Sequence, residues 1–508
     1  MEYTLGIDLG SSGIKLTFLD RTGRCTGPFS AEICSVFPKP GWIEQDPREW
    51  YEVFCALFAQ ACQSSGIRPE EVCAVAVDAA THTTVLLDEN LDPVRNAILW
   101  NDQRSASVAA ECQRQAGEYI LEKTYNAPSA MWSLCQMLWV RRHEPECWQR
   151  VRRILFAKDY LRLCLGGDYV TDYIDAEGSL LLDMQTHRWD ARLCGMLGKD
   201  DLVLPEILEP TDRAGAISRS CAEKTGMREG VPIYAGASDT VMELLAAGVV
   251  REGDASIKLA TSGRICAVTP RPYPHALLVN YSHVVPGFWY PGTGTRSCAT
   301  SLRWFKDEFC RYESAEAKGC GRSVYALLDE TAASVPAGAE GLFYHPYLLG
   351  EFTPYQDPDL RADFVGASMK HTHAHFVRAV MEGCAYSLLD GYHALLEIGI
   401  PAPREFRLIG GGASGTTWSQ IVSDVFQQPL CKPVTSDSSF GSAMLAAVAH
   451  GFFGSFLQAA QVCGSGSVWI TPNQRNGALY QDGFGFYKEI QQALAPIYRR
   501  LARHETNT

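Results

Sequence analysis

Twice along its 508 residues the chain writes an apolar strand, a short loop of small residues and a second apolar strand. The first copy is YTLGIDLGSSGIKLTFLD, Tyr3 to Asp20; the second is ASIKLATSGRICAVT, Ala255 to Thr269. Such runs need cover on both faces, so each belongs inside a sheet flanked by helices. VCAVAVDAA, VPIYAGASD and FRLIGGG supply further apolar strands, each ending in an acidic or glycine-rich turn. Helical patterns separate them: Pro47 to Ser64, led by Asp46 as N-cap, and most of 105 to 165. Strands and helices in this order, twice over, predict an α/β chain of two domains with the boundary near 245–255. The length agrees, because single hydrophobic cores stop growing near ~250–300 residues.

Charge narrows the partners. The net charge of -13 and pI near 5.5 disfavour a nucleic-acid backbone, so any phosphate is handled in a local pocket. The N-terminus carries Glu2 and Asp8 rather than a basic flank and an apolar run, and no apolar stretch reaches membrane length. The 18 cysteines are scattered without a C-x-x-C pair, which predicts free thiols in a reducing cytoplasm. KHTHAHF places His371, His373 and His375 at alternate positions, where a strand would align them for a metal. The helical spacing that follows favours a helix entrance instead.

Four motifs could carry chemistry. In Asp8 to Lys15, Gly10 and Gly13 permit close backbone approach, Ser11 and Ser12 can donate to phosphate oxygens, and Lys15 adds positive charge. Asp8 would repel phosphate unless a cation stood between them, which makes it a Mg²⁺ partner through water; the bland alternative is an ordinary hairpin turn. The Thr261-Ser262-Gly263 loop has the same shape, and the two loops could hold the two ends of a triphosphate. Gly410, Gly412 and Gly415 fit G-x-G-x-x-G, a dinucleotide signature, but no acidic residue follows at the required spacing. The helix start behind them would still suit a nucleotide phosphate or ribose. Asp239 stands at a helix entrance, either as a cap or as the acceptor of a proton from a hydroxyl nucleophile.

Ten collinear segments resemble the FGGY sugar kinases of the actin-like ATPase superfamily. They are GIDLGSSGIKLTFLD, GWIEQDPREWY, AILWNDQRS, AKDYLRLCLGGDYVTDYIDAEG, VPIYAGASDTVMELLAAG, ATSGR, YLLGEFTPYQDP, RAVMEGCAYSLL, GGGASGTTWSQIVSDVFQQPL and GSAMLAAVAHG. GWIEQDP and ILWNDQR look most like the xylulokinase group. The resemblance implies two ribonuclease-H-like domains with ATP, Mg²⁺ and sugar meeting in the cleft between them. Residues 1–248 would bind sugar and carry the first phosphate loop and catalytic acid, 249–490 would bind nucleotide, and 491–508 would form a terminal helix or tail.

By the same resemblance Asp8 is the Mg²⁺-associated carboxylate, and Ser11, Ser12 and Lys15 form the first phosphate loop. Thr261 belongs to the second loop, Gly411, Gly412 and Thr416 to the adenosine end, Asp239 is the catalytic base, and Thr81 and His82 contact sugar. The chain departs from the family where G-Q-M-H-G is usual: it has Asp78-Ala79-Ala80-Thr81-His82-Thr83. The implied reaction is D-xylulose to D-xylulose 5-phosphate, with L-xylulose, ribulose, gluconate and erythritol as other acceptors. A small-molecule sugar partner, no nucleic acid or membrane, a cytoplasmic location and a homodimer accompany it. A non-catalytic actin-like nucleotide clamp and an NAD-dependent dehydrogenase are the rival classes.

Overall fold

A computed structural model of the chain describes residues 1–505. Two six-stranded sheets organise it. The first runs, edge to edge, Arg213–Ala216, Pro232–Ser238, Val72–Ala79, Tyr3–Gly10, Gly13–Asp20, Cys25–Glu32. The second runs Gly292–Gly294, Gly263–Ala267, Asp254–Leu259, Glu405–Ile409, Leu430–Lys432, Val468–Ile470. In each sheet an antiparallel three-stranded meander is followed by two parallel strands and closed by an antiparallel edge strand. The repeat seen in sequence is therefore a repeat of topology. The copies differ at the closing edge, which precedes its neighbour in the first half and comes last in the second.

The strands are buried as their composition demands. Leu5 and Ile7 are fully enclosed, and Val72–Ala79 is buried at every position. Asp46 caps the Pro47–Ser65 helix by accepting from Arg48 N, and helices 106–124, 133–143, 145–150 and 157–165 fill the predicted helical stretch. The helix at 373 begins with Thr372 and His375 in a reciprocal capping box, so the histidine run is a helix entrance.

The Ser438–Ala449 helix does not stay with the sheet of the second half. It packs on Tyr3–Gly10 of the first. Its residues SSFGSAMLAAVA are small enough for backbone to meet backbone. A Cβ on Gly6 would lie 1.9 Å from Ser439 O, so only glycine fits there. Thr4 Oγ1 donates to Ala443 O at 2.8 Å, the Thr17 and Ser439 hydroxyls meet at 2.7 Å, and Ser442 Oγ donates to Asp78 Oδ2 at 2.6 Å.

The C-terminal segment differs from expectation. Gly477–Glu505 is one helix with Pro496 inside it, and no break occurs at 490. It docks Tyr480, Tyr487, Gln491 and Ala495 into the second half, a helical spacing that makes it part of the core rather than a separate tail. Residues 506–508 of that tail lie outside the described residues. All 18 cysteines are free thiols, and among the described residues no helix is long and apolar enough to cross a membrane.

Candidate active site

Three neighbouring parallel strands of the first sheet each deliver a carboxylate to their C-terminal edge. Asp8 lies beside Asp78 in register, Asp78 beside Ala237, and Ala79 beside Ser238, the residue before Asp239. Adjacent strands are ~4.8 Å apart, so Asp8, Asp78 and Asp239 converge where open α/β sheets bind ligands. Ser238 occupies the N-cap position and Asp239 is the first residue of the Asp239–Ala246 helix, so Asp239 is not the cap. Its Oδ1 accepts from Thr240 N at 2.6 Å and from Thr81 Oγ1 at 3.1 Å.

The local charge is unbalanced. Burial pushes Asp8 up to about 6; Lys15 pulls it back, while Asp239 and Asp437 push it further. Burial, then Asp8, holds Asp78 well above the carboxylate range; Ser442 alone donates to it, and Oδ1 has no protein partner. Lys15 Nζ lies 3.4 Å from Asp8 Oδ2 and 2.9 Å from Asp437 Oδ2. Burial disfavours its charge, but Asp8 and Asp437 outweigh that and raise its pKa. Asp8 and Asp437 thus share Lys15, which leaves Asp8 short of positive charge and suits a divalent ion there.

The first predicted phosphate loop is a two-residue hairpin turn held from outside. Ser11 O accepts from Gln45 Nε2 at 2.9 Å, Ser11 Oγ from Trp100 Nε1 at 2.9 Å, and Ser12 O from Ile33 N at 3.1 Å. Ser12 is exposed and the Ser11 hydroxyl keeps its proton free to donate. Gln45 and Trp100 fall within the GWIEQDP and AILWNDQR segments, whose role as loop supports the sequence did not disclose.

His82 sits at a φ of 72° and is buried. Its Nδ1 is 3.0 Å from Gly178 O, its Nε2 is 3.0 Å from the Tyr281 hydroxyl, and Trp132 meets it edge-on at 4.4 Å. Burial drives its pKa down to about 3, so the ring is neutral. Beside it Glu177 accepts from Ser282 N and Oγ at 2.8 and 2.5 Å. Thr81, read as a sugar contact, has its hydroxyl on Asp239.

Thr261, Gly411, Gly412 and Thr416 lie together at the same edge of the second sheet. Thr261 O accepts from Cys298 N at 3.0 Å and from Thr300 Oγ1 at 2.8 Å, leaving its side chain exposed. Gly410 takes a φ of 89° with its missing Cβ 2.6 Å from Leu259 O, which presses the glycine turn against the Thr261 loop. Gly411 faces open space and Thr416 is exposed.

One expectation fails here. The first N–H groups of the Thr416–Phe426 helix are not free for a nucleotide, because Thr417 and Trp418 donate to Asp329 at 2.9 and 3.0 Å. The dinucleotide reading also loses its scaffold, since this sheet opens with an antiparallel meander.

Charged side chains add polar contacts between the halves around the carboxylates, beside that of Ser442 with Asp78: Lys15 to Asp437 at 2.9 Å, Lys258 to Glu243 at 2.5 Å, and Arg264 Nη1 to Thr240 Oγ1 at 3.2 Å. Asp437, Glu243, Tyr281 and Arg264 carried no sequence signal of a role. Among the histidines of KHTHAHF, His373 alone joins a cluster of metal-ligating groups, with Cys310 and Glu313. Its Nε2 faces Cys310 Sγ at 3.4 Å and its Nδ1 faces Glu313 at 3.2 Å. Two ring nitrogens pointing apart make a hydrogen-bonded chain, not a set of ligands converging on one ion.

Comparison with known proteins matches this architecture. Residues 3–246 match the N-terminal domain of the FGGY family of carbohydrate kinases and residues 255–450 its C-terminal domain. The chain is 32% identical to a xylulose kinase of Lactococcus lactis over 505 residues, covering 99% of each. It is 26% identical to a gluconokinase of Bacillus licheniformis over 518 residues, covering 99% of this chain and 98% of the relative. The crystal structure of xylulose kinase from Rhodospirillum rubrum superposes with a TM-score of 0.87 at 26% identity, covering 98% of this chain and all of that one. The fold is the two-domain α/β fold of these enzymes, and the chain belongs to the FGGY family of carbohydrate kinases.

Proposed function

We propose that the protein transfers the γ-phosphoryl of ATP to the C5 hydroxyl of D-xylulose, giving D-xylulose 5-phosphate. The observation that carries this reading is the convergence of Asp8 and Asp239 on one sheet edge, with the Thr261 loop joined to it through Arg264 and Thr240. The sugar assignment leans on relatives named xylulose kinase. The second reading is a sugar acid, since gluconokinases also match over the full length and Ala80 and Thr81 replace the usual Gln and Met.

In this mechanism residues 1–248 and 249–490 form the two walls. Asp239 orients the hydroxyl and takes its proton on the carboxylate oxygen not bonded to Thr81. Thr81 and the Thr240 N–H fix the carboxylate in place. Neutral His82, its two ring nitrogens engaged by Gly178 O and the Tyr281 hydroxyl, contacts the sugar as part of an apolar wall with Tyr281 and Trp132. Ser11, Ser12, Lys15 and Thr261 bind phosphate oxygens; Gly411, Gly412 and Thr416 line the adenosine end. Mg²⁺ held through Asp8 would neutralise charge on the phosphates. Closure of the walls keeps water from the phosphoryl group and limits wasteful hydrolysis.

The test is ADP release with D-xylulose, L-xylulose, ribulose, gluconate and erythritol. D-xylulose is expected to give the highest kcat/KM. Asp239→Ala should lower kcat by about 10²–10⁴-fold with little change in ATP binding, the range of a general base. Near-normal turnover in that variant would remove Asp239 from its role.

A further inference from the structure

Arg264 is a cation of this site that the mechanism leaves unused. It stands two residues beyond Ser262, on the strand that leaves the second phosphate loop. Its side chain crosses the floor made by Gly292, where an added Cβ would come 3.5 Å from Arg264 Nε. Nη1 reaches the other half and donates to Thr240 Oγ1 at 3.2 Å. Thr240 in turn donates to Asp239 Oδ1 from N and Oγ1, at 2.6 and 3.3 Å. The guanidinium is thereby tied at one end to the loop that would hold the γ-phosphoryl and at the other to the residue that would hold the attacking hydroxyl.

The neighbouring cations are all neutralised. Lys15 is paired with Asp8 and Asp437, Lys258 with Glu243, and Lys158 with Asp159 and Asp172. Among the described residues no carboxylate lies within ion-pair distance of Arg264, and its guanidinium makes one protein hydrogen bond. Four of its five N–H donors therefore await an acceptor. Asp239 favours the guanidinium's charge from beyond Thr240 without touching it, so the open N–H groups face no contacting anion until a ligand brings one. The acceptor alcohol is neutral, so the anion that reaches this point is the phosphoryl group in transfer.

We propose that Arg264 is a further catalytic residue, whose free N–H groups bind a non-bridging oxygen of the phosphoryl group as it passes from ATP to the hydroxyl on Asp239. The inference rests on the kinase reading above. The sugar oxygen forms its bond to the γ-phosphorus, and the bond from that phosphorus to the β,γ-bridging oxygen breaks, its electron pair leaving with ADP. The hydroxyl proton goes to Asp239, and Arg264 stays protonated throughout. Its hydrogen bond to Thr240 sets the direction of the fork, so the donors are in place before charge shifts.

Full-length Arg264→Met, Arg264→Lys and Arg264→Ala test this. Losing a preorganised donor lowers kcat by about 10²–10³-fold, and Met should show this with every sugar the wild type accepts while both KM values hold. Lys, a point charge without the fork, should recover part of the loss. Free guanidinium should rescue Ala and leave Met untouched, because Met still fills the space.

Calorimetry supplies a readout apart from turnover. Affinity for ADP with aluminium fluoride and sugar, a mimic of the group in transfer, should fall in Arg264→Met, and affinity for ADP alone should not. Unchanged kcat in Met overturns the proposal, as does equal loss of both affinities. A loss confined to carboxylate-bearing sugars also overturns it and makes Arg264 a reader of the substrate's own anion. If Met fails to fold, Lys and the rescue of Ala decide. Wild type without sugar-dependent ADP release would defeat the kinase reading itself; sugar-dependent release that survives in Met defeats the Arg264 inference alone.

Discussion

The two hairpins at the heads of the two sheets share a topology and differ in charge. In the first, Asp8 and Lys15 face each other across the strands; in the second, Lys258 and Arg264 do. Each pair sits just inside its turn. One hairpin thus brings an acid and a base, the other two bases, and each draws its counter-charge from the opposite half: Asp437 for Lys15, Glu243 for Lys258. A duplicated scaffold has been specialised by the residues beside the turn. On the proposed function the first copy would take the metal side of a nucleotide and the second the anion side, and Arg264 has no contacting carboxylate because Glu243 pairs with Lys258.

The strongest way to break this contrast is at Asp8. Asp8→Asn keeps the shape and removes the charge, and it should raise the Mg²⁺ concentration needed for half-maximal activity by about 10–100-fold, the scale for losing a partner around a metal site. A Mg²⁺ titration that matches wild type would mean that the first hairpin is not the metal side.

A smaller effect is expected at Lys258. Its side chain is 28% exposed and that of Glu243 22%. Lys258→Met strands Glu243, whose carboxyl burial already pushes up. The full penalty for breaking a buried pair is ~3–5 kcal/mol, and partial exposure should reduce it to about 1–3 kcal/mol. Denaturant unfolding of Lys258→Met, Glu243→Gln and the double variant measures it, and the double variant should recover most of the loss. Additive losses would show that the two charges do not answer each other, and Arg264 would then no longer stand apart from Lys258.

How much of this was legible in the sequence follows the range of each interaction. Asp8, the Ser11–Ser12 turn, Thr261 and the start of the Asp239 helix were readable because strand, turn and helix entrance are local chemistry. Lys15 was readable as a cation but not as the partner of Asp437, 422 residues away. The helix after GGGASG looked like an open anion site because Asp329, which fills it, comes from 88 residues earlier. Thr81 was readable as a sugar contact only through its motif, and its bond to Asp239, 158 residues away, left no local trace. The continuity of the C-terminal helix through 490 was not legible, because the surfaces that bury Tyr480, Tyr487, Gln491 and Ala495 come from earlier parts of the chain. The charge on the second hairpin was in plain view as Lys258 and Arg264, yet nothing local told which of the two was already neutralised.

The smallest predicted effect concerns what each hairpin rests on. The first leans on neutral groups, Gln45 and Trp100. In the second, Gly263 exchanges hydrogen bonds with Thr295, its N–H reaching Thr295 Oγ1 at 2.9 Å, and the next residue, Arg296, donates its N–H to Glu351 at 2.8 Å. Glu351 is fully buried, and burial pushes it from 4.5 up to about 8, against the pull of Phe352, Arg296 and Ser387. The native state therefore keeps a proton that the unfolded chain has lost. Stability from this group is present in full below pH 4.5 and is lost as pH rises through about 8.

Glu351→Gln keeps an acceptor for the two N–H groups and lets its amide face the Ser387 hydroxyl, without a charge to bury. Its Tm should match wild type at about pH 5 and exceed it at about pH 9, because only the wild type then holds a buried carboxylate. Parallel pH profiles would mean that Glu351 is ionised throughout. The second hairpin would then rest on a charge, and the two supports would differ more than burial and hydrogen bonding imply.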